Sequence, residues 1–240
     1  MIPAKTIALS KRLETIAHMV PECDLFTDVG TDHGYLPIWL LSQNICRKAC
    51  ASDINKGPLE SAERNALGSG ADQDRIAFIL SDGLDDVPAP AEGYNVLCIA
   101  GMGGPNIRGI MERAGDRLSS YDEYILSPHT GQKELREYLI SAGCAIKNER
   151  YVTDDEKLYV VIRASRVGSV VPDSSLPDSY FRFGGFVKEA LADDTIRAFF
   201  VKKRDDLYRI IKEHPDLPVT RHNEIMSEIT DYNEVLDIET

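Results

Sequence analysis

Residues 27–37 read Thr-Asp-Val-Gly-Thr-Asp-His-Gly-Tyr-Leu-Pro, behind the apolar pair Leu25-Phe26. An acid, Asp28, followed by glycines at Gly30 and Gly34, makes a loop in which a ligand can approach bare backbone. A dinucleotide loop would keep small residues between its glycines, because a pyrophosphate needs backbone N–H groups in a field without negative charge. This loop carries Asp32 and His33 there instead. In the partly buried site expected for such a loop, a carboxylate facing a phosphate is penalised much as an unpaired buried charge is.

A ligand with positive charge and no phosphate meets the opposite condition. S-adenosylmethionine has an ammonium and a sulfonium, which an acid can pair, and one carboxylate, which backbone N–H groups can take. Three further segments supply the rest. Ala51-Ser52-Asp53-Ile54 places Asp53 about twenty residues beyond the loop, the usual position for a carboxylate on ribose hydroxyls. Asp82 and the backbone of Gly83 could reach an adenine amino group, and the glycines of Ala100-Gly101-Met102-Gly103-Gly104 allow close approach of cofactor and substrate. The cofactor set is therefore Asp28, Gly30, Asp32, His33, Gly34, Asp53, Ile54, Asp82, Gly83, Ala100, Gly101, Met102 and Gly103, with His33 orienting the loop and Tyr35 packing beside it. One such segment is weak evidence, since an Asp after a strand is often a helix cap. Four in register, each behind an apolar run, carry the reading.

The elements that must position these segments follow from periodicity. Apolar runs at 25–29, 48–54, 76–80, 94–100 and 123–126 alternate with helical patterns at 35–42, 58–68, 104–115 and 132–142. Such alternation means βαβ units and a parallel sheet covered on both faces. All four segments then lie at the carboxyl ends of strands, where open α/β sheets bind ligands. Runs at 144–152 and 157–164 are separated by only four residues, too few for a helical crossover, so an antiparallel hairpin closes the sheet. By fold-level analogy this is an α/β, Rossmann-like class I methyltransferase sheet. A helix carrying Leu13, Ile16, Ala17 and Val20, capped by Ser10, precedes it. The domain is expected to span 1–166. A Pro-, Ser- and Gly-rich linker occupies 167–185, and a coiled-coil-like helical hairpin occupies 186–240, marked by Ile196, Phe200, Leu207 and Ile211, then by Ile225, Ile229, Tyr232 and Leu236.

The 240 residues suffice for one sizeable domain and an appendage. No apolar run approaches the length of a membrane span, and the first twenty or so residues carry charge through their apolar positions, unlike a signal peptide. The five cysteines form no Cys-x-x-Cys pair and read as reduced thiols of a cytoplasmic protein, with no metal site expected. A net charge of −12 argues against nucleic-acid binding by the chain as a whole. Its distribution is uneven. Residues 195–214 hold Arg197, Lys202, Lys203, Arg204, Arg209 and Lys212 against three acids, while six acids and no Lys or Arg follow His222.

Taken together, the stretches at 9–13, 28–37, 51–59, 81–84, 99–104 and 151–162 resemble the bacterial tRNA (adenine22-N1)-methyltransferase family, TrmK. The resemblance covers 9–162 and continues faintly through Phe-Arg-Phe-Gly-Gly at 181–185 into the tail. It implies S-adenosylmethionine as donor, N1 of an adenine in the tRNA D-loop as acceptor, and a C-terminal helical hairpin. There are two departures: Ser127-Pro128-His129 stands where the family usually reads Gln-Pro-Asn, and Gly185 stands where a proline is usual. The first falls at the expected acceptor pocket, making Ser127, Pro128 and His129 candidate substrate contacts.

Adenine N1 has its own lone pair, so no base need remove a proton first, and positioning and electrostatics carry the step. The product is cationic. Asp32 is the first catalytic candidate, as a stabiliser of developing charge; the alternative is that it pairs the cofactor ammonium. His129 is the second, as donor to the base or proton acceptor; the alternative is a solvated histidine leading a helix. Lys202, Lys203 and Arg204 are expected tRNA contacts, with ion pairs inside an ordinary hairpin as the alternative. Two other functions stay open: a class I methyltransferase acting on another RNA base or a small molecule, and a cofactor-binding, non-catalytic RNA-binding protein.

Overall fold

The computed structural model describes residues 7–166 and 176–237; residues 167–175 of the expected linker lie outside them. Helix α1 (Lys11–Met19) starts at Ser10, whose side chain accepts from Leu13 N, and buries Ile16, Ala17 and Met19. There follow β1 (Cys23–Val29), α2 (Tyr35–Ser42), β2 (Cys46–Asp53), α3 (Lys56–Ser69), β3 (Ile76–Leu80), β4 (Asn95–Met102), α4 (Gly104–Ala114), β5 (Glu123–Pro128) and α5 (Gln132–Ser141), then β6 (Ala145–Asp154) and β7 (Lys157–Ser165).

The strands form one sheet in the order β3-β2-β1-β4-β5-β7-β6. The first five pair in parallel, and β7 lies antiparallel between β5 and β6. The hairpin turn is tighter than expected. Pairing runs to Asp154 and Lys157, leaving only Asp155 and Glu156 in the turn, both with positive φ (47° and 58°). That left-handed conformation matches the right-handed twist of the strands it joins.

Alternate residues of the central strands feed two cores. Leu97 and Ile99 pack with α4 and α5 on one face, and Val96 and Cys98 pack with α1 and α2 on the other. Full burial of such side chains contributes roughly 1.5–3 kcal/mol each and explains why the strands read apolar throughout. All five cysteines are buried free thiols.

Beyond the sheet, α6 (Asp178–Phe183) and α7 (Val187–Ala190) precede the two long helices α8 (Asp194–Glu213) and α9 (Val219–Val235). A third core unites Phe183, Val187, Ile196, Phe200, Val235 and Leu236. Helix α6 falls inside the segment expected to be linker. Pro and Ser density around it masks Phe183, which is buried, and Phe181 and Arg182, whose carbonyls accept from Arg136 Nη1 at 3.0 and 2.9 Å. Among the described residues no helix is long and apolar enough to cross a membrane, and no three His, Cys, Asp or Glu side chains are grouped to hold a metal ion.

Candidate active site

The loop after β1 is built by its own backbone. Gly30 N and Thr31 N both donate to Ser52 O on β2 (2.8 and 3.0 Å), and Gly34 N donates to Thr31 O (2.9 Å). The first two tie β1 to β2 at their carboxyl ends, and together the three bonds take up the N–H groups of Gly30, Thr31 and Gly34. Asp28 is 6% exposed, and burial pushes its carboxyl up to about 6, against the opposing influence of neighbouring Thr31 and Cys98 and the charge of Arg12. It is the buried acid of the loop.

Asp32 is not. Its side chain is 73% exposed, 3.6 Å from the His33 imidazole, on a backbone with φ of +50°. The penalty against a phosphate applies to a partly buried carboxylate, and solvent screens an exposed one, so the exclusion of dinucleotides rests on Asp28 more than on Asp32. His33 stacks on Tyr35 with ring centroids 5.3 Å apart, and its carbonyl accepts from Asn65 Nδ2.

At the end of β2, half-buried Asp53 accepts from Asn55 N at 2.8 Å, starting α3, with the exposed side chain of Ile54 beside it. Leu80, at the end of β3, is also largely exposed, an apolar surface that sequence reasoning missed. Asp82 is engaged by Arg113 Nη2 at 2.8 Å, so its carboxylate is shared with a structural ion pair.

The glycine run after β4 divides by role. Gly101 has a φ of +82° and sits at a bulge, where the pairing with β5 shifts between Ala100 and Met102. The Met102 side chain lies against Gly30. Gly104 serves the protein's own packing rather than a ligand. A Cβ there would collide with the Gly131 carbonyl oxygen, and its N–H donates to Thr130 O at 2.7 Å. Together with His129 N donating to Met102 O (2.9 Å), this fastens the loop after β5 onto the start of α4.

The acceptor-side expectation needs a correction. Ser127 and Pro128 belong to strand β5 and are buried, and the Ser127 hydroxyl donates to Val160 O inside the sheet. Neither side chain lines the cleft that opens beside them, because the strand runs two residues further than its apolar run suggests. His129 does emerge. Its ring meets the Tyr159 ring edge-on at 5.4 Å, and its pKa is held below 6.5 by partial burial and by Arg12 and Lys157. A cleft of about 850 Å³ opens there, lined by His129, Tyr159 and Lys157 on the sheet side and by Phe199, Lys202 and Lys203 on α8. The structure thus brings His129 and two of the three expected basic contacts to one cleft. Arg204 turns away. Its side chain is 16% exposed and paired with Asp205 at 2.7 Å.

Arg12 and Tyr159 do not stand out in the sequence. The Arg12 guanidinium lies 5.4 Å above the Tyr159 ring, and its Nη1 is buried without a hydrogen-bond partner. Buried Asp28, half-buried Asp53 and this buried cationic donor, all at one sheet edge, fit a zwitterionic ligand bearing hydroxyls.

Sheet order, hairpin and loop placement define a class I methyltransferase fold. A family profile described as "Methyltransferase domain" matches residues 9–162. The chain is 34% identical over 158 residues to the tRNA (adenine(22)-N(1))-methyltransferase of Bacillus subtilis; the alignment takes in 66% of this chain and 65% of that protein, just under two thirds. The solved structure of the B. subtilis m1A22 tRNA methyltransferase TrmK superposes with a TM-score of 0.84 at 26% identity, covering 97% of this chain and 100% of that one. That of M. capricolum TrmK in complex with S-adenosyl-homocysteine gives 0.81 at 26% identity, covering 95% and 98%. The chain belongs to the methyltransferase domain family.

Proposed function

We propose that this protein transfers a methyl group from S-adenosylmethionine to N1 of adenine 22 in tRNA, in the cytoplasm. The observation that carries the reading is the cleft in which His129 and Tyr159, beside the cofactor edge, face Lys202 and Lys203 of α8. A small-molecule enzyme has no need of a basic helix across its acceptor cleft, whereas an RNA substrate presents phosphates to it. The names of the relatives point to the same acceptor.

The cofactor, when bound, supplies an electrophilic methyl on a sulfonium. The chain's own residues bind, orient and screen. Asp53 suits ribose hydroxyls, the exposed side chains of Ile54 and Leu80 offer an apolar surface for the adenine ring, and Asp28 suits the ammonium. Its depressed pKa keeps His129 neutral near pH 7, so it can accept from the exocyclic amino group of the target base or donate to a ring nitrogen without adding charge beside a product that becomes cationic. Exposed Asp32 can move toward that charge. Nucleoside mass spectrometry of tRNA incubated with the protein and S-adenosylmethionine tests the reading. 1-Methyladenosine is expected; another modified base, or none, would sink it.

A further inference from the structure

The ligand read for this site carries one carboxylate, and the glycine loop does not receive it with its Gly30, Thr31 and Gly34 N–H groups, which are bonded to Ser52 O and Thr31 O. The charged side chains of the β1 and β2 edge, Asp28 and Asp53, are acids and suit an ammonium and hydroxyls. A cation reaches this edge from outside the sheet. Arg12 stands in the first turn of α1, with its backbone N–H donating to the Asp154 carboxylate at 3.1 Å. Its two terminal nitrogens lie 3.8 and 3.9 Å from where a Cβ on Gly101 would stand. Stacking over Tyr159 fixes the guanidinium plane without using any of its five N–H donors, and Nη1 stays buried and unbonded. A buried charged donor without a partner is costly in a finished fold and informative at a ligand edge.

We propose that Arg12 binds the carboxylate at the methionine end of S-adenosylmethionine, an assignment that rests on the cofactor reading above. The guanidinium then closes a charge pattern in which Asp28 takes the ammonium and Arg12 the carboxylate. The experiment is calorimetry on the full chain with two ligands, S-adenosylmethionine and its decarboxylated analogue, which keeps the ammonium and sulfonium. The wild-type protein should prefer the intact cofactor. In Arg12→Met that preference should vanish, with affinity for S-adenosylmethionine falling about tenfold to a hundredfold, the range for hydrogen bonds to a charged group. Affinity for the decarboxylated analogue should not change. Arg12→Lys, which keeps the charge and loses the fork, should recover part of the preference. Unchanged affinity for S-adenosylmethionine in Arg12→Met, or equal loss for both ligands, overturns the assignment. So does loss of tRNA affinity with the cofactor preference intact, which would give the guanidinium to a phosphate. A wild-type chain that binds neither ligand would overturn the cofactor reading itself and this assignment with it.

Discussion

At Asp28 function and stability pull in opposite directions. Burial lifts its pKa from 3.8 to about 6 in the folded chain, so the fold favours the protonated acid. The stability this contributes is fully present below about pH 4 and is lost as pH rises through about 6. Above that, the ionised carboxylate costs the fold roughly 3 kcal/mol, since each tenfold change in proton affinity is worth about 1.4 kcal/mol. Asp28→Asn should therefore melt higher than the wild type near pH 7.5 and about level with it near pH 4, while binding S-adenosylmethionine more weakly. Thermal melts at the two pH values check the first part, and identical differences at both would show that the carboxylate is well solvated. His129 gives a second prediction at this scale. Its pKa is lowered, so the acid limb of tRNA methylation should lie on the acid side of an ordinary imidazole's titration. In His129→Ala, turnover should drop and the part of that acid limb due to the imidazole should disappear, with cofactor affinity intact. A profile and turnover identical to the wild type would return His129 to a bystander.

Among the elements, α8 is the one whose charge bears on substrate. Lys202 and Lys203 face the cleft, whereas Arg204 is paired with Asp205 and Arg209 with Asp206 at 2.6 Å. Changing Lys202 and Lys203 to Ala should weaken tRNA binding and reduce the slope of log affinity against log salt by about one for each lost phosphate contact. Adding Arg204→Ala should not lower the slope further. Filter binding across a salt series distinguishes these outcomes. Element boundaries also show what the sequence could reveal. The strands are legible because doubly covered strands must be apolar, and the site loops because they follow those strands. Residues 127–128 escape the pattern because Ser and Pro end an apolar run without ending a strand. Arg12 is invisible for another reason. Its backbone partner Asp154 is 142 positions away and Tyr159 is further still, so only the folded sheet brings them together.

For the whole molecule, the question is what fixes the helical unit to the sheet. Arg136, fully buried, bonds Glu149 at 2.7 Å and the carbonyls of Phe181 and Arg182, while Tyr151 Oη donates to Phe183 O at 2.5 Å. Removing one partner of a buried ion pair costs about 3–5 kcal/mol. Glu149→Gln should therefore lower the melting temperature and raise KM for tRNA more than it changes cofactor affinity, because the basic helix loses its fixed distance from His129. Steady-state kinetics with calorimetry tests this, and proportional loss of both affinities would mean the sheet itself had failed. Cutting the chain ahead of α6 would be a poorer test, since it strips Arg136 of two acceptors inside the core.

The contact between Arg12 and Asp154 has a consequence in time. Helix α1 leaves the ribosome ahead of every strand, yet the strands against which Arg12 is seated are made last in the domain, and β7 must slip between β5 and β6 before either face is complete. The earliest residues of the domain thus wait for the latest ones. A nascent chain that has not yet emitted residue 165 has a glycine loop but no finished ligand site. On the assignment of Arg12 to the carboxylate, cofactor gains its full hold only after closure, so the last strands must dock on their own packing.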